Sequence, residues 1–237
     1  MELAVEFAVA KTNKYASRES GDPAELIERP GGGFSVVAVD GQGSGSGAKA
    51  LSLLLTSKAV ALIKEGVRDG AVARAVHDVL FAYRQGRVSA SLDIVSIDLK
   101  TKSVIATRNG ATPLIVREAS DWRSIEPFAG PIGRYHFTRP AVTQLATEAG
   151  LVVCTITDGV ATAGTRFGPD TFDVRSFAQE TLGDSCDATR MAAAILQEAI
   201  RRDEDRPRDD MTVVVMGLRE HDHHPHVRTV QLYAPLA

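Results

Sequence analysis

The sequence predicts an α+β fold built on antiparallel sheets. Strand-like and helix-like stretches come in separate blocks rather than in strict β-α alternation. The stretch after Ser91 is a series of short β-prone runs joined by turns, and the apolar runs that end at Asp40 and Asp158 have the length of buried strands. At 237 residues, 44% apolar and 24% charged, the chain is long enough to bury a core as one large domain or two small ones. Its 27 Lys and Arg against 30 Asp and Glu leave a formal charge of −3. No basic run interleaved with aromatics offers a nucleic-acid face.

The elements follow in order. Leu3, Val5, Phe7 and Val9 alternate with Glu2, Ala4, Glu6 and Ala8, the period-two pattern of a half-buried strand. Thr12 to Gly33 is polar and turn-rich and reads as loop or hairpin, and Phe34 to Val39 is a buried strand. After the Gly/Ser stretch Gly41 to Gly47, the residues Leu51, Leu54, Leu55, Ala59, Leu62 and Ile63 fall at helical spacing, with Gly66 as a stop. Val72, Ala75, Val76, Val79, Leu80 and Tyr83 predict a second helix. Asp93 to Leu99, Ser103 to Asn109 and Thr112 to Val116 predict a meander. Leu151 to Thr157 is another strand, Asp187 caps a helix ending near Arg202, and Met211 to Met216 is a core strand.

No repeat or domain boundary is visible, so residues 1–220 read as one domain. Residues 221–237 read as a His-rich polar tail with a short strand-like run from Val227 to Tyr233. Cys154 sits in an apolar run far from Cys186, which points to a buried thiol rather than a bridge. Met1 to Ala10 lacks the pattern of a secretion signal, and no segment reaches the ~18 uninterrupted apolar residues of a membrane span. A cytoplasmic protein is expected.

Four acids share a setting: Asp22, Asp40, Asp158 and Asp209 each lie at the end of a strand or in the loop beside one. A hard divalent cation such as Mg²⁺ or Mn²⁺ takes oxygen ligands, and a glycine after the acid, as in Asp40-Gly41 and Asp158-Gly159, lets a backbone carbonyl approach as a further one. Two such ions about 3.5–4 Å apart lower the pKa of a shared water and offset charge on a phosphoryl group. Singly, each Asp-Gly pair is also an ordinary turn. The Gly/Ser stretch lacks the Gly-Lys-Ser/Thr of a P-loop, and no glutamate closes it as a calcium loop.

Taken together the motifs resemble a family. Ser20-Gly21-Asp22, Val39-Asp40-Gly41-Gln42-Gly43, Thr157-Asp158-Gly159-Val160 and Asp209-Asp210-Met211-Thr212, in that order, are similar to the metal-dependent Ser/Thr protein phosphatases of PPM (type 2C-like) class, closest to the SpoIIE/Rsb-like bacterial branch. Ser89-Ala90-Ser91, Arg108-Asn109-Gly110 and Gly130-Pro131-Ile132-Gly133 fall in the family's order, and the resemblance spans Leu3 to Leu218.

The resemblance implies a β-sandwich of two antiparallel sheets flanked by helices, with two divalent cations, Mn²⁺ or Mg²⁺, at one end. Asp40 would bridge both ions, the Gly41 carbonyl and Asp22 would hold one, and Asp158 and Asp209 the other. Catalysis would rest on Asp40, Asp158 and Asp209, with direct attack of a bridging hydroxide on the phosphorus. Asp210 is the lesser candidate of its pair. Where eukaryotic-type members carry a phosphate-binding arginine this chain has Ser17, leaving Arg18, one step away, as a weak phosphate-binding candidate. Asn109-Gly110-Ala111-Thr112 replaces the motif of a third-metal acid, and Gly21 rather than Glu precedes Asp22. The implied substrate is a phosphorylated regulatory protein of anti-sigma-antagonist or stressosome type. Two alternatives stay open: a non-catalytic module that keeps the fold to hold a partner, and a two-metal hydrolase of small phosphoesters. His77 and His136 are weighed as general acids and set aside in favour of structural or surface roles.

Overall fold

A computed structural model describes residues 2–17, 19–43, 45–126, 129–168, 171–221 and 227–234, and of Leu182 the backbone alone. Two five-stranded antiparallel sheets form the centre. The first contains β1 (Glu2–Thr12), β10 (Met211–His221), β9 (Val152–Ile156), β6 (Leu114–Glu118) and β7 (Asp121–Ile125), in that order across the sheet. The second runs β2 (Ala24–Glu28), β3 (Gly33–Gly41), β4 (Ala90–Asp98), β5 (Ser103–Asn109) and β8 (Ala141–Ala146). Helices α1 (Ser46–Lys64) and α2 (Asp69–Arg84) cover the outer face of the second sheet. The short α3 (Asp158–Ala161), α4 (Val174–Leu182) and α5 (Ala188–Arg202) lie on the first. This is the helix-sheet-sheet-helix sandwich that the resemblance implies.

Period-two alternation sorts each strand's side chains between two cores. On β3, Val37 and Val39 pack under α1 and α2, whereas Val36 and Ala38 face the opposite sheet. On β10, Val213 and Val215 pack on α5, while Val214 and Met216 point between the sheets. With one apolar set on each face, such strands read as continuous hydrophobic runs, and for that reason they are legible in the sequence.

The Thr12–Gly33 stretch holds a hairpin, β2 with β3, and Asp187 caps α5 by accepting the Arg190 N–H at 2.7 Å. Three strands and two helices had no counterpart in the periodicity. β2, β7 and β8 are short edge strands with one buried side chain each, Ile27, Trp122 and Leu145, so no alternation announces them. Helix α3 is a single turn, and α4 spans only nine residues. Val227 to Tyr233 forms no strand; its apolar side chains stand in solvent. Asp222 to His226, most of the His-rich motif, and Arg18 lie outside the described residues. Helix α1 is long and apolar enough by composition to cross a membrane, yet Leu51, Leu55, Ala59 and Ile63 along it are buried against the second sheet and α2. Both cysteines are free, Cys154 fully buried.

Candidate metal centre

One end of the space between the sheets gathers the acids. Asp40 follows Ala38 by two residues on β3 and therefore points to the same inter-sheet face. The β2–β3 register pairs Ala24 with Ala38, which sets Asp22, two residues earlier, beside Asp40. Asp158 opens α3 where β9 ends, and Asp209 lies in the turn before β10. Thr157 and Thr212 lock those two ends together: the Thr157 N–H donates to the Thr212 carbonyl at 3.0 Å and the Thr212 N–H to Thr157 Oγ1 at 2.9 Å.

The glycines after Asp40 and Asp158 are needed for packing. A Cβ on Gly41 would stand 2.5 Å from Ser52 Oγ on α1, and one on Gly159 would stand 2.2 Å from the Asp210 carbonyl oxygen. Both acids are thus carried on backbone pressed against a neighbouring element.

Burial, then the charges of Asp22 and Asp158, a hydrogen bond shared with Asp158 and the charge of Asp209 push the Asp40 carboxyl up to about 9. Burial and then Asp210 push Asp22 up to about 7, against a hydrogen bond that Thr212 Oγ1 donates to Asp22 Oδ2 at 3.2 Å. Asp209 is raised as well, mainly by burial. Among the described residues no three acidic, Cys or His side chains close around a single point as a ready cage. Electrostatic coupling reaches farther than a coordination bond, so the coupling is what identifies the groups that share this end of the fold.

These residues fit a pair of hard cations. The donors are carboxylates and a backbone carbonyl, and the like charges run from the buried Asp22 through the half-buried Asp40 and Asp209 to the exposed Asp158, with Lys11 acting on Asp22 and Lys14 on Asp209 from the positive side. Lys11 Nζ itself donates to the Asp22 carbonyl oxygen at 2.9 Å.

Asp210 has a different task from Asp209. Its Oδ1 accepts the Lys14 N–H at 2.9 Å and its Oδ2 the Gly21 N–H at 2.8 Å, so both oxygens hold the loop that delivers Asp22. The Tyr15 N–H donates to the Pro207 carbonyl and completes that anchor. Thr212 is a site residue the motif reading passed over. The alternation from Asp210 through Thr212 to Val214, all on one face, was the available signal.

The remaining motif pieces bond to one another and to nearby backbone. Gln42 bonds Ser89 three times, through its N–H to the Ser89 carbonyl and through Oε1 to the Ser89 N–H and hydroxyl. The Asn109 side-chain amide donates to the Gly130 carbonyl at 2.9 Å. His77 is buried and accepts the Gly133 N–H at Nδ1, and the exposed His136 packs on Phe81 of α2.

A family model described as Stage II sporulation protein E (SpoIIE) matches residues 30–219. The chain belongs to the SpoIIE family. Stage II sporulation protein E of Priestia megaterium is 24% identical over 218 residues, 91% of this chain and 36% of that protein, so the SpoIIE-family chain described here spans about a third of its relative's length. The PP2C phosphatase domain of the cell fate determinant SpoIIE from Bacillus subtilis, solved with a fragment of its regulatory domain, has a TM-score of 0.78 at 20% identity, covering 92% of this chain and 62% of that one. The catalytic domain of the serine threonine protein phosphatase PstP, solved in complex with two manganese ions, has a TM-score of 0.71 at 14% identity, covering 92% of this chain and all of that one. At these identities the two structures establish the fold.

Proposed function

We propose that this SpoIIE-family chain is a cytoplasmic, Mn²⁺- or Mg²⁺-dependent phosphoserine/phosphothreonine protein phosphatase that acts on a phosphorylated regulatory protein of anti-sigma-antagonist or stressosome type. The observation that carries the reading is Asp40, half-buried among three other carboxylates with its own carboxyl pushed up to about 9. Bound divalent cations supply an activated water and offset the charge of the phosphoryl oxygens during in-line displacement. Asp40 would be shared between the ions, Asp22 and the Gly41 carbonyl would hold one, and Asp158 and Asp209 the other. Thr212 orients the Asp22 carboxylate through its hydroxyl, and Asp210 keeps the Asp22 loop seated on the turn before β10. Arg18 is the candidate for steadying the phosphate. One water is consumed, the phosphorus–oxygen ester bond breaks, and the protein hydroxyl and inorganic phosphate leave.

The test is release of p-nitrophenol from p-nitrophenyl phosphate in EDTA, Mg²⁺ or Mn²⁺, for the wild type and Asp40→Asn. Metal-dependent turnover lost in the variant supports the reading. A folded protein inactive in every metal is instead a binding module. A phosphoprotein that competes with the small ester at micromolar concentration separates a protein phosphatase from a hydrolase of small phosphoesters.

A further inference from the structure

β2 is the outer strand of its sheet and, among the described residues, pairs with β3 alone. The Val39 N–H donates to the Pro23 carbonyl and the Arg29 N–H to the Gly33 carbonyl, so in the antiparallel alternation Pro23, Glu25, Ile27 and Arg29 carry the bonds to β3. The N–H and C=O of Ala24, Leu26 and Glu28 therefore point away from the sheet, and they meet no partner among the described residues.

Against this open edge lies a groove of about 360 Å³ between β2 and α1, lined by Glu25, Leu53, Thr56, Val60, Ala61 and Lys64. Leu53 is 42% exposed, and Thr56 Oγ1, buried in the groove wall, has no hydrogen-bond partner among the described residues. A second depression, bounded by Lys11, Glu19, Ser20, Pro23 and Lys49, shares Leu53 with the first, and Lys49 Nζ pairs with Glu19 in it at 3.2 Å. Pro23 follows Asp22 directly, so the two form one path from the acidic cluster down the β2 edge. Lys11 and the Lys49–Glu19 pair stand at its mouth, where a phosphate dianion would enter, and apolar side chains stand farther along.

We propose that an extended segment of the phosphoprotein substrate adds to β2 as a sixth strand of this sheet. It runs antiparallel to β2, as every other neighbour in the sheet does, with its phosphorylated residue at the Asp22–Asp40 end. The residues on the N-terminal side of the phosphoserine then lie along Ala24, Leu26 and Glu28, and alternate apolar side chains seat against Leu53 and Val60. In such strand addition the backbone bonds supply affinity and the groove supplies selectivity. The proposal rests on the phosphatase reading above and names how that enzyme holds its substrate.

The test uses three probes: p-nitrophenyl phosphate, an N-acetyl phosphoserine amide, and a phosphoserine peptide with a six-residue N-terminal arm of alternating Val and Thr. In the wild type kcat/KM for the armed peptide should exceed that for the amide by roughly tenfold, carried by KM. Leu26→Pro removes only an outward N–H and keeps the ladder to β3, and Leu53→Glu places a charge in the groove. Both should bring the ratio close to one while the p-nitrophenyl phosphate rate holds, which also reports that the variants fold. An equal preference in the wild type, or a ratio unmoved by both substitutions, overturns the proposal. So does a wild type that prefers the armed peptide only after residues 227–237 are deleted, since the edge would then belong to the chain's own tail, whose Arg228 already pairs with Glu28. Absence of p-nitrophenyl phosphate turnover in the wild type fails the phosphatase reading itself, and is a different result from the loss of peptide preference.

Discussion

The Asp210 carboxylate accepts the backbone N–H of Gly21 at 2.8 Å across 189 positions of sequence, and that bond sets the residue after Gly21, Asp22, at the acidic end of the sandwich. The second oxygen of Asp210 is equally committed, to Lys14. Removing the carboxylate with Asp210→Ala leaves two backbone donors without their charged acceptor, at a cost of about 3 kcal/mol. Urea unfolding should show that loss, and Mn²⁺ titration should show weaker binding. Asp210→Asn, which retains one acceptor oxygen, should fall between the two.

Gly159→Ala should be more damaging than Gly41→Ala. The added methyl at 159 meets a backbone carbonyl, which has nowhere to go, whereas at 41 the nearest obstacle is the Ser52 hydroxyl, which rotates. Denaturant midpoints of the two variants check the order, and equal costs would show that the β10 start yields as easily as a side chain.

Behind the site, Asp93 on β4 faces Arg108 on β5 at 3.6 Å with 14% of its side chain exposed. Burial pushes its carboxyl up to about 6 from an ordinary 3.8, opposed by Arg108 and a hydrogen bond from Thr155. The folded state thus holds this proton more tightly than the unfolded chain does. The contribution of Asp93 is most favourable below pH 4 and declines as pH rises towards about 6, by about 3 kcal/mol in all. The stability of the wild type relative to Asp93→Asn should therefore fall by most of that amount between pH 4 and pH 7 and stay flat above. A difference that does not change with pH would show that Asp93 titrates at its ordinary value.

Cys154 is fully buried and its thiol is pushed up to about 12 by that burial, while Cys186 is partly exposed with its Sγ 2.8 Å from an Arg117 guanidinium nitrogen. A thiol reagent such as DTNB should titrate one cysteine in the folded protein and two in denaturant. Two fast equivalents under native conditions would contradict the packing of β9.

The sequence by itself determined the core strands and the long helices. Phe34 to Val39, Leu151 to Thr157 and Met211 to Met216 are apolar on both faces because each lies between a helix layer and the opposite sheet, and that burial writes itself into composition. It also supplied the order of Asp22, Asp40, Asp158 and Asp209, since the Asp-Gly ends of β3 and β9 are local features. Only the tertiary structure decided the edge strands β2, β7 and β8, which bury too few side chains to leave a pattern. It also committed both Asp210 oxygens to the Lys14 and Gly21 N–H groups and brought Thr212 to Asp22. Those outcomes depend on register and on contacts between residues about two hundred positions apart, whose free energy comes from bonds that no local stretch of chain contains.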